Sequence, residues 1–184
     1  MKKITIGVIV LLVLIVLYGW TSYNSLITLK ENATAQLQQV ETLYQRRFDL
    51  IPGLVESVKG AMKQEQTVFK DIADARSKYA GSSSVSDKAS AAQGLESSIS
   101  RLLVVMENYP TLKSSETVRD FMTQYEGTEN RISTERQRYN TTVKDYQLAI
   151  KRFPKSVIAS MFGFSDLQYF EANKAASDAP QVKF

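Results

Sequence analysis

Two groups of charged residues in this sequence have the types and spacing that could do chemistry. The first lies in YQRRFDLIPG, ending at a Pro-Gly pair, and the second lies in YEGTENRIS, within a later helical segment. Their members are Arg46, Arg47 and Asp49, and then Glu126, Glu129 and Arg131. Carboxylate metal sites in helical bundles normally use Glu-x-x-His motifs on facing helices, and the chain has no histidine. The residue types therefore favour ion pairs over a metal site or an acid–base pair.

These charged groups allow two structural interpretations. In one, they form a buried polar network that fixes the register of the helices. In the other, they are solvated charges whose pairs along a helix contribute roughly a few tenths of a kcal/mol each. Glu129 lies on an apolar stripe between Tyr125 and Ile132, which slightly favours the network. If the network exists, Glu129→Ala should leave a buried arginine unpaired and cost about 3–5 kcal/mol.

The composition argues against an enzyme. The 184 residues include no cysteine and no histidine, so disulfides, thiolate chemistry and the commonest general base are all absent. No nucleophile stands beside a base in a recognisable motif. We therefore predict a protein with no catalytic residues, no cofactor and no bound metal. The net charge of +4 is spread along the chain, which is typical of a solvated surface and predicts no nucleic-acid partner.

The N-terminal residues 1–22 predict a transmembrane anchor. An uncharged apolar run extends from Ile4 to Trp20, near the lower length limit for crossing a hydrocarbon core of roughly 30 Å. The predicted membrane-spanning residues include Ile4, Ile9, Leu14, Leu17 and Trp20. A cleaved signal peptide is the alternative, but the exit sequence LYGWTSYN has no A-x-A site. Lys2 and Lys3 predict a cytoplasmic N-terminus and an extracytoplasmic C-terminal domain.

Residues 23–153 predict an elongated antiparallel helical bundle, continuous with the anchor. Apolar residues recur every three or four positions from Leu26 to Ile72, apart from one gap at Glu65. This stripe predicts one helix that continues from the membrane to about Lys78 and is capped at Gly81. Further helices are predicted over 89–109 and 116–153, each closed by a proline, with a polar loop over 81–88. No strand pattern is present, so the predicted fold class is all-α.

Pro52 and Gly53 interrupt the first predicted helix. Proline lacks the N–H that a helix needs and clashes with the preceding turn. The apolar stripe nevertheless passes through Pro52 without losing phase, so we predict a kink within one helix. A turn between two helices remains the alternative, and it would supply a fourth helix without the C-terminal segment.

The C-terminal part divides into an apolar segment, residues 154–170, and a polar tail, residues 171–184. Basic residues precede the apolar ones, which suits a membrane surface. A contact with a neighbouring copy or packing on the chain's own bundle would equally cover such a segment. The candidate membrane or oligomer contacts are Phe153, Val157, Ile158, Met161, Phe162, Phe164, Tyr169 and Phe170.

Several segments, taken in order, resemble the bacterial LemA family. They are the apolar anchor running into YNSL, then RRFDLIPGLVESVKG, ENYPTLK, EGTENRISTERQRYN, and AIKRFP with FGFSDLQYFEA. The resemblance covers nearly the whole chain. It implies a four-helix antiparallel bundle behind a single anchor in the bacterial plasma or inner membrane, and it implies no reaction, cofactor or substrate.

Two functions are compatible with these features. The first is a structural membrane protein that self-associates and organises or shapes the membrane, with the lipid bilayer and its own copies as partners. The second is a membrane-tethered adaptor or signalling-associated protein that presents its bundle to a different, unidentified protein. Homo-oligomerisation separates them, because a scaffold must assemble from itself and an adaptor need not.

Overall fold

The computed structural model describes residues 2–113 and 115–170 of the chain. Its helices are α1 (Lys2–Lys59), α2 (Gln66–Gly81), α3 (Val85–Met106), α4 (Pro110–Lys113), α5 (Glu116–Lys151) and α6 (Lys155–Met161). No strand occurs in these two ranges. The predicted all-α class is therefore confirmed. The predicted polar tail, residues 171–184, lies outside the described residues.

The chain forms two compact units. Among the described residues, the first unit comprises 2–38 and 137–167, and the second comprises 39–113, 115–136 and 168–170. Helices α1 and α5 contribute residues to both units, because each of them crosses a unit boundary.

Four helical segments of the second unit follow one another as antiparallel hairpins. Near the end of α2, the Tyr79 ring lies 4.3 Å from the Phe48 ring of α1 (centroid to centroid), so α2 returns along α1. An ion pair from Arg101 to Asp71 joins α3 to α2 across the next hairpin, at 2.9 Å. Arg47 then links α1 to α3 and α5. Aliphatic and aromatic side chains fill the space between them, including Val40, Leu54, Ile72, Leu95, Leu102 and Ile132.

The first predicted helix is too long. Helix α1 ends at Lys59, and a turn over residues 60–65 separates it from α2, so the prediction of one helix to Lys78 is wrong. Met62 is fully buried in this turn and holds it against the core. After the turn the buried stripe resumes at Val68 instead of Phe69. Because the turn ends α1, α2 is a separate helix of the second unit and not the end of α1.

Helix α1 continues through Pro52. The alternative of a helix–helix turn at Pro52 is therefore wrong. Ile51 and Leu54 on either side are both buried, so the apolar stripe keeps its phase through the proline, as the sequence indicates. The kink itself stays a prediction.

Three further boundaries differ from the predicted ones. Helix α3 begins at Val85, inside the predicted loop, because the Ser84 side chain accepts a hydrogen bond from the Asp87 N–H at 3.0 Å and caps it. Pro110 begins the short helix α4 instead of closing α3, in the first-turn position where proline is tolerated. Helix α5 ends at Lys151, so Phe153 lies beyond it and is exposed.

The first unit has its own core cluster, next to the apolar stretch of α1. Its buried members are Leu26, Tyr146, Ile150 and Ala159, with Leu29, Ala149, Ile158, Phe164 and Leu167 packed against them. The Tyr146 hydroxyl donates a hydrogen bond to the Ser165 carbonyl at 3.0 Å, and Gln147 donates to the Leu167 carbonyl at 2.7 Å. These bonds hold the segment after α6 onto α5.

A glycine cap turns the chain at the end of α6. Gly163 has φ of 71°, a left-handed conformation that glycine adopts without steric cost. The Phe164 N–H then donates to the Ala159 carbonyl at 3.0 Å, which is the long-range bond of a Schellman motif. The reversal places the Phe164 ring 5.8 Å from the Tyr23 ring of α1.

Candidate functional site

Arg47 is the centre of the polar site in the second unit. It lies on α1, five positions before Pro52, and only 3% of its surface is exposed. Its Nη1 donates to Glu96 Oε1 of α3 at 3.1 Å and also to Glu129 Oε2 of α5. The guanidinium carbon lies 3.9 Å from the centroid of the Tyr125 ring, a cation–π geometry. One buried side chain therefore links three helices.

Burial dominates the electrostatics of this site. It raises the pKa of Glu96, and the nearby Glu129 carboxylate raises it further, while Arg47 and Arg136 oppose the shift. Burial likewise raises the pKa of the Tyr44 and Tyr125 hydroxyls. Within residues 2–113 and 115–170, no group accepts a hydrogen bond from the buried Arg47 Nε. The Arg47 guanidinium is already bound by the carboxylates of Glu96 and Glu129. It therefore serves as a fixed structural link between helices.

The structure brings together only part of the predicted network. Arg47 and Glu129 are paired. Arg46 and Arg131 line a shallow cavity of about 170 Å³ between α1 and α5. Asp49 instead accepts a hydrogen bond from Gln45, one turn earlier on the same helix, at 2.8 Å. Glu126 is exposed on α5.

Glu96 is the functional residue that sequence reasoning missed. It lies in AAQGLESSIS on α3, one position after the buried Leu95 and three before the buried Ile99. That spacing places Glu96 at the border of the apolar stripe of α3. This position is the one feature of the sequence that indicates a partly buried carboxylate. Nothing in the sequence pairs it with an arginine 49 positions earlier, because only the fold brings α1 and α3 together at this level.

The apolar stretch of α1 is uncovered by protein. Among the described residues, α1 is the one helix that is long and apolar enough to cross a membrane, and none of its apolar window is buried. Each of the predicted membrane-spanning residues is more than half exposed: Ile4, Ile9, Leu14, Leu17 and Trp20.

The predicted contact residues of the C-terminal part separate into two sets. Phe170 is buried in the second unit, with the Arg136 guanidinium carbon 5.4 Å from its ring centroid. Ile158 and Phe164 pack on the core cluster of the first unit. Phe170 is thus buried and Ile158 and Phe164 are partly buried by their own units, which agrees with the alternative of packing on the chain's own bundle. The assignment of these residues as membrane or oligomer contacts stays a prediction. The exposed set is Phe153, Val157, Met161, Phe162 and Tyr169.

An open groove lies between α2 and α3, with a volume of about 900 Å³. Asp71, Lys78 and Arg101 contribute charges to its wall, and small side chains such as Ala91 and Ser98 form much of the rest.

The fold and these features define an all-α helical-bundle protein with one uncovered apolar helix at its N-terminus. The chain belongs to the LemA family, whose sequence profile matches residues 36–184. The family resemblance inferred from the sequence segments is thereby confirmed. Together, the family and the apolar helix indicate a membrane-associated protein.

The relatives that this chain resembles come from two bacterial species. The chain is similar to Magnetosome protein MamQ of Magnetospirillum gryphiswaldense, with 26% identity over an alignment of 186 positions, gaps included, that covers 87% of this chain and 68% of that protein. It is also similar to Magnetosome proteins MamQ 1 and MamQ 2 of Paramagnetospirillum magneticum, each 27% identical over the same share of both chains.

Proposed function

We propose that this protein is a membrane-anchored, non-enzymatic structural protein that self-associates and thereby organises or shapes a bacterial membrane. One observation carries the proposal. Helix α1 joins the apolar stretch to the core of the first unit without a break, and Leu26 is already fully buried in that core. Because the anchor and the folded core share one helix, the position and orientation of the core are coupled to the bilayer. A flexible linker would not couple them.

The polar site supports a structural function over a catalytic one. Arg47 is buried and engaged by two carboxylates, so it has no open side for a substrate. The similar proteins are named as magnetosome proteins, and their names give no reaction. Both observations agree with a protein whose task is mechanical or organisational.

Self-association is the finer part of the proposal. A single anchor confines every copy to one plane and one orientation, so equivalent faces of two copies lie at the same height above the membrane. Exposed apolar residues of the first unit, such as Leu148 on α5, can then meet their counterparts on a neighbouring copy.

The mass of the full-length protein in its native lipid provides the test. Discs of native membrane are cut out with a polymer, and single-particle mass and electron microscopy follow, with a known monomeric single-pass protein in the same discs as the control. We expect discrete particles larger than one copy, with regular arrays or curved patches at high density. Particles of one copy at every density would contradict self-association.

A second candidate, a membrane-tethered adaptor, is favoured by the open groove between α2 and α3. A partner segment in that groove would meet Asp71 and Lys78 on α2 and Arg101 on α3. A photo-crosslinking residue placed at Ser90, which lines the groove, would capture such a partner in cells. The matched control is the same crosslinker at Ser100, an exposed α3 position that does not line it. A captured heterologous protein specific to Ser90, together with single-copy particles, would replace the first proposal.

A further inference from the structure

Helix α6 and its flanks carry an apolar surface that the first unit leaves open. Phe153 is 84% exposed, Val157 51%, Met161 72% and Phe162 59%. Val157 and Met161 are four positions apart and so share one face of α6. The side chains of Ile158 and Ala159 turn towards the core instead. The helix is therefore two-sided, with one apolar side packed and one uncovered.

This surface lies beside α1 just where the apolar stretch ends. A Cβ at Gly19 would lie 3.9 Å from Ile158 Cδ1, and the Tyr23 and Phe162 rings are 4.8 Å apart. Lys155 Nζ also donates to Ser25 Oγ at 2.9 Å. Helix α6 thus contacts α1 between Gly19 and Ser25, while the uncharged apolar run ends at Trp20.

The level of these contacts matches the interfacial layer of a bilayer. Residues 4–20 of α1 span about 25 Å at 1.5 Å per residue, close to the thickness of a hydrocarbon core. Trp20 to Ser25 covers a further rise of about 8 Å, and the polar layer on each side of the core is roughly 5–8 Å thick. Trp20 is exposed at the start of that level, as is typical of aromatic residues at membrane interfaces.

Basic side chains flank the uncovered surface. Arg152 and Lys155 line an open cavity of about 380 Å³ next to Phe153 and Pro154. Lys151 pairs with Asp166 at 2.6 Å and so contributes little net charge. Positive groups beside apolar ones at the end of a span suit the phosphates and the upper acyl chains of lipids.

We propose that α6, with Phe153 and Phe162, is an interfacial membrane element that lies in the headgroup layer of the bilayer crossed by α1. Phe153, Val157, Met161 and Phe162 enter the upper acyl region, and Arg152 faces lipid phosphates. The partner is the lipid surface, because groups at this depth are covered by lipid without any second protein. This inference depends on one part of the proposed function, namely that α1 anchors the protein in a membrane.

Single-cysteine labelling can test this inference cleanly, since the chain contains no cysteine. Full-length Val157→Cys and Met161→Cys variants carry an environment-sensitive fluorophore in vesicles that contain anionic lipid. Lipids brominated near the headgroup or deep in the acyl chain then serve as quenchers. Leu11→Cys, in the apolar stretch, is the buried-in-lipid control, and Lys144→Cys, exposed on α5, is the aqueous control. Circular dichroism checks that each labelled variant is folded.

We expect labels at Val157 and Met161 to be quenched several-fold more than the label at Lys144, and more strongly by the shallow bromines than by the deep ones. The Leu11 label should show the opposite depth preference. A contact between copies would give a different result: the emission of the Val157 label would be blue-shifted, bromine would not quench it, and the shift would vanish when the protein is diluted with lipid. That result would overturn the inference. Emission like that of Lys144 at both sites would overturn it too. If Leu11 is not quenched, the anchor itself fails, so the two failures are distinguishable.

Discussion

The sharpest prediction concerns the buried guanidinium of Arg47. Glu96 and Glu129 both hold it, so loss of one acid still leaves it a partner. This finding revises the expectation that Glu129→Ala alone leaves an unpaired charge. We expect Glu129→Gln alone to cost only about 1 kcal/mol, because Glu96 still pairs with Arg47 and the amide oxygen keeps an acceptor in place.

The double variant E96Q/E129Q is different, because Arg47 then stays buried with no anion. Breaking a buried ion pair costs about 3–5 kcal/mol. The two carboxylate side chains are 35% and 49% exposed, so solvent already weakens the pairing and we take the lower end, about 3 kcal/mol. For a chain of this size, that corresponds to a fall of about 6–12 °C in Tm.

The decisive comparison adds Arg47→Met to both backgrounds. In the wild-type background the change should lower Tm, since two neighbouring carboxylates lose the cation between them. In the E96Q/E129Q background it should raise Tm, since it removes an uncompensated buried charge. Thermal unfolding is followed by circular dichroism at 222 nm, with the full-length protein in detergent.

The control is an exposed pair of the same chemistry. Arg101 and Asp71 form an ion pair in which the arginine side chain is 67% exposed, so Asp71→Asn should cost less than about 1 kcal/mol. If Arg47→Met lowers Tm equally in both backgrounds, burial of the charge is not what makes the site sensitive, and the reasoning is refuted.

Three further changes test other parts of the structure. The raised pKa of Glu96 means that the unfolded chain ionises first, so the fold should lose stability as pH rises from about 4.5 through the raised value; Glu96→Gln should flatten this fall in Tm, and an unchanged pH slope would count against the assignment. Gly163→Ala forces a non-glycine residue into the left-handed region at a cost of about 1–2 kcal/mol, so amide hydrogen exchange in α6 should rise about 5–30-fold; equal exchange would show that the cap does not hold the helix. Pro52→Ala restores a helical hydrogen bond worth up to about 3 kcal/mol with its steric relief. If the predicted bend is required for packing, Tm should stay constant or fall, whereas a rise of more than about 6 °C would exclude that requirement.

Local periodicity was sufficient to predict most of the core. The residues from Leu26 to Val58 that repeat at helical spacing include the apolar side chains that α1 buries over this range, because the face of one helix can be read from its own sequence. The break after Lys59 was misread because the stripe can be continued across Gly60 as far as Met62. Met62 is indeed buried, but in a turn. The gap in the apolar stripe at Glu65 is the local sign of that turn.

Only part of the polar site could be predicted from the sequence. Arg47 and Glu129 were among the candidates, since both adjoin apolar stripes within charged segments. Which of the two neighbouring arginines points inward depends on a rotation of about 100° per residue around α1, and the structure buries Arg47 and exposes Arg46. Glu96 required knowledge of which helices meet at that level, and that knowledge exists only in the tertiary fold.

The C-terminal segment shows why the composition of a short region does not determine its partner. The sequence left lipid, a second copy and the chain's own bundle as alternatives for one set of residues. In the structure, Phe170 is buried and Phe164 is partly buried within their own units, while Phe153 and Met161 are exposed. The division arises at Gly163, whose left-handed turn sends Phe164 back towards Tyr23. A segment that packs on one side and stays apolar on the other, beside the last residues of an apolar helix, has the two contacts needed to join a bundle to a membrane surface.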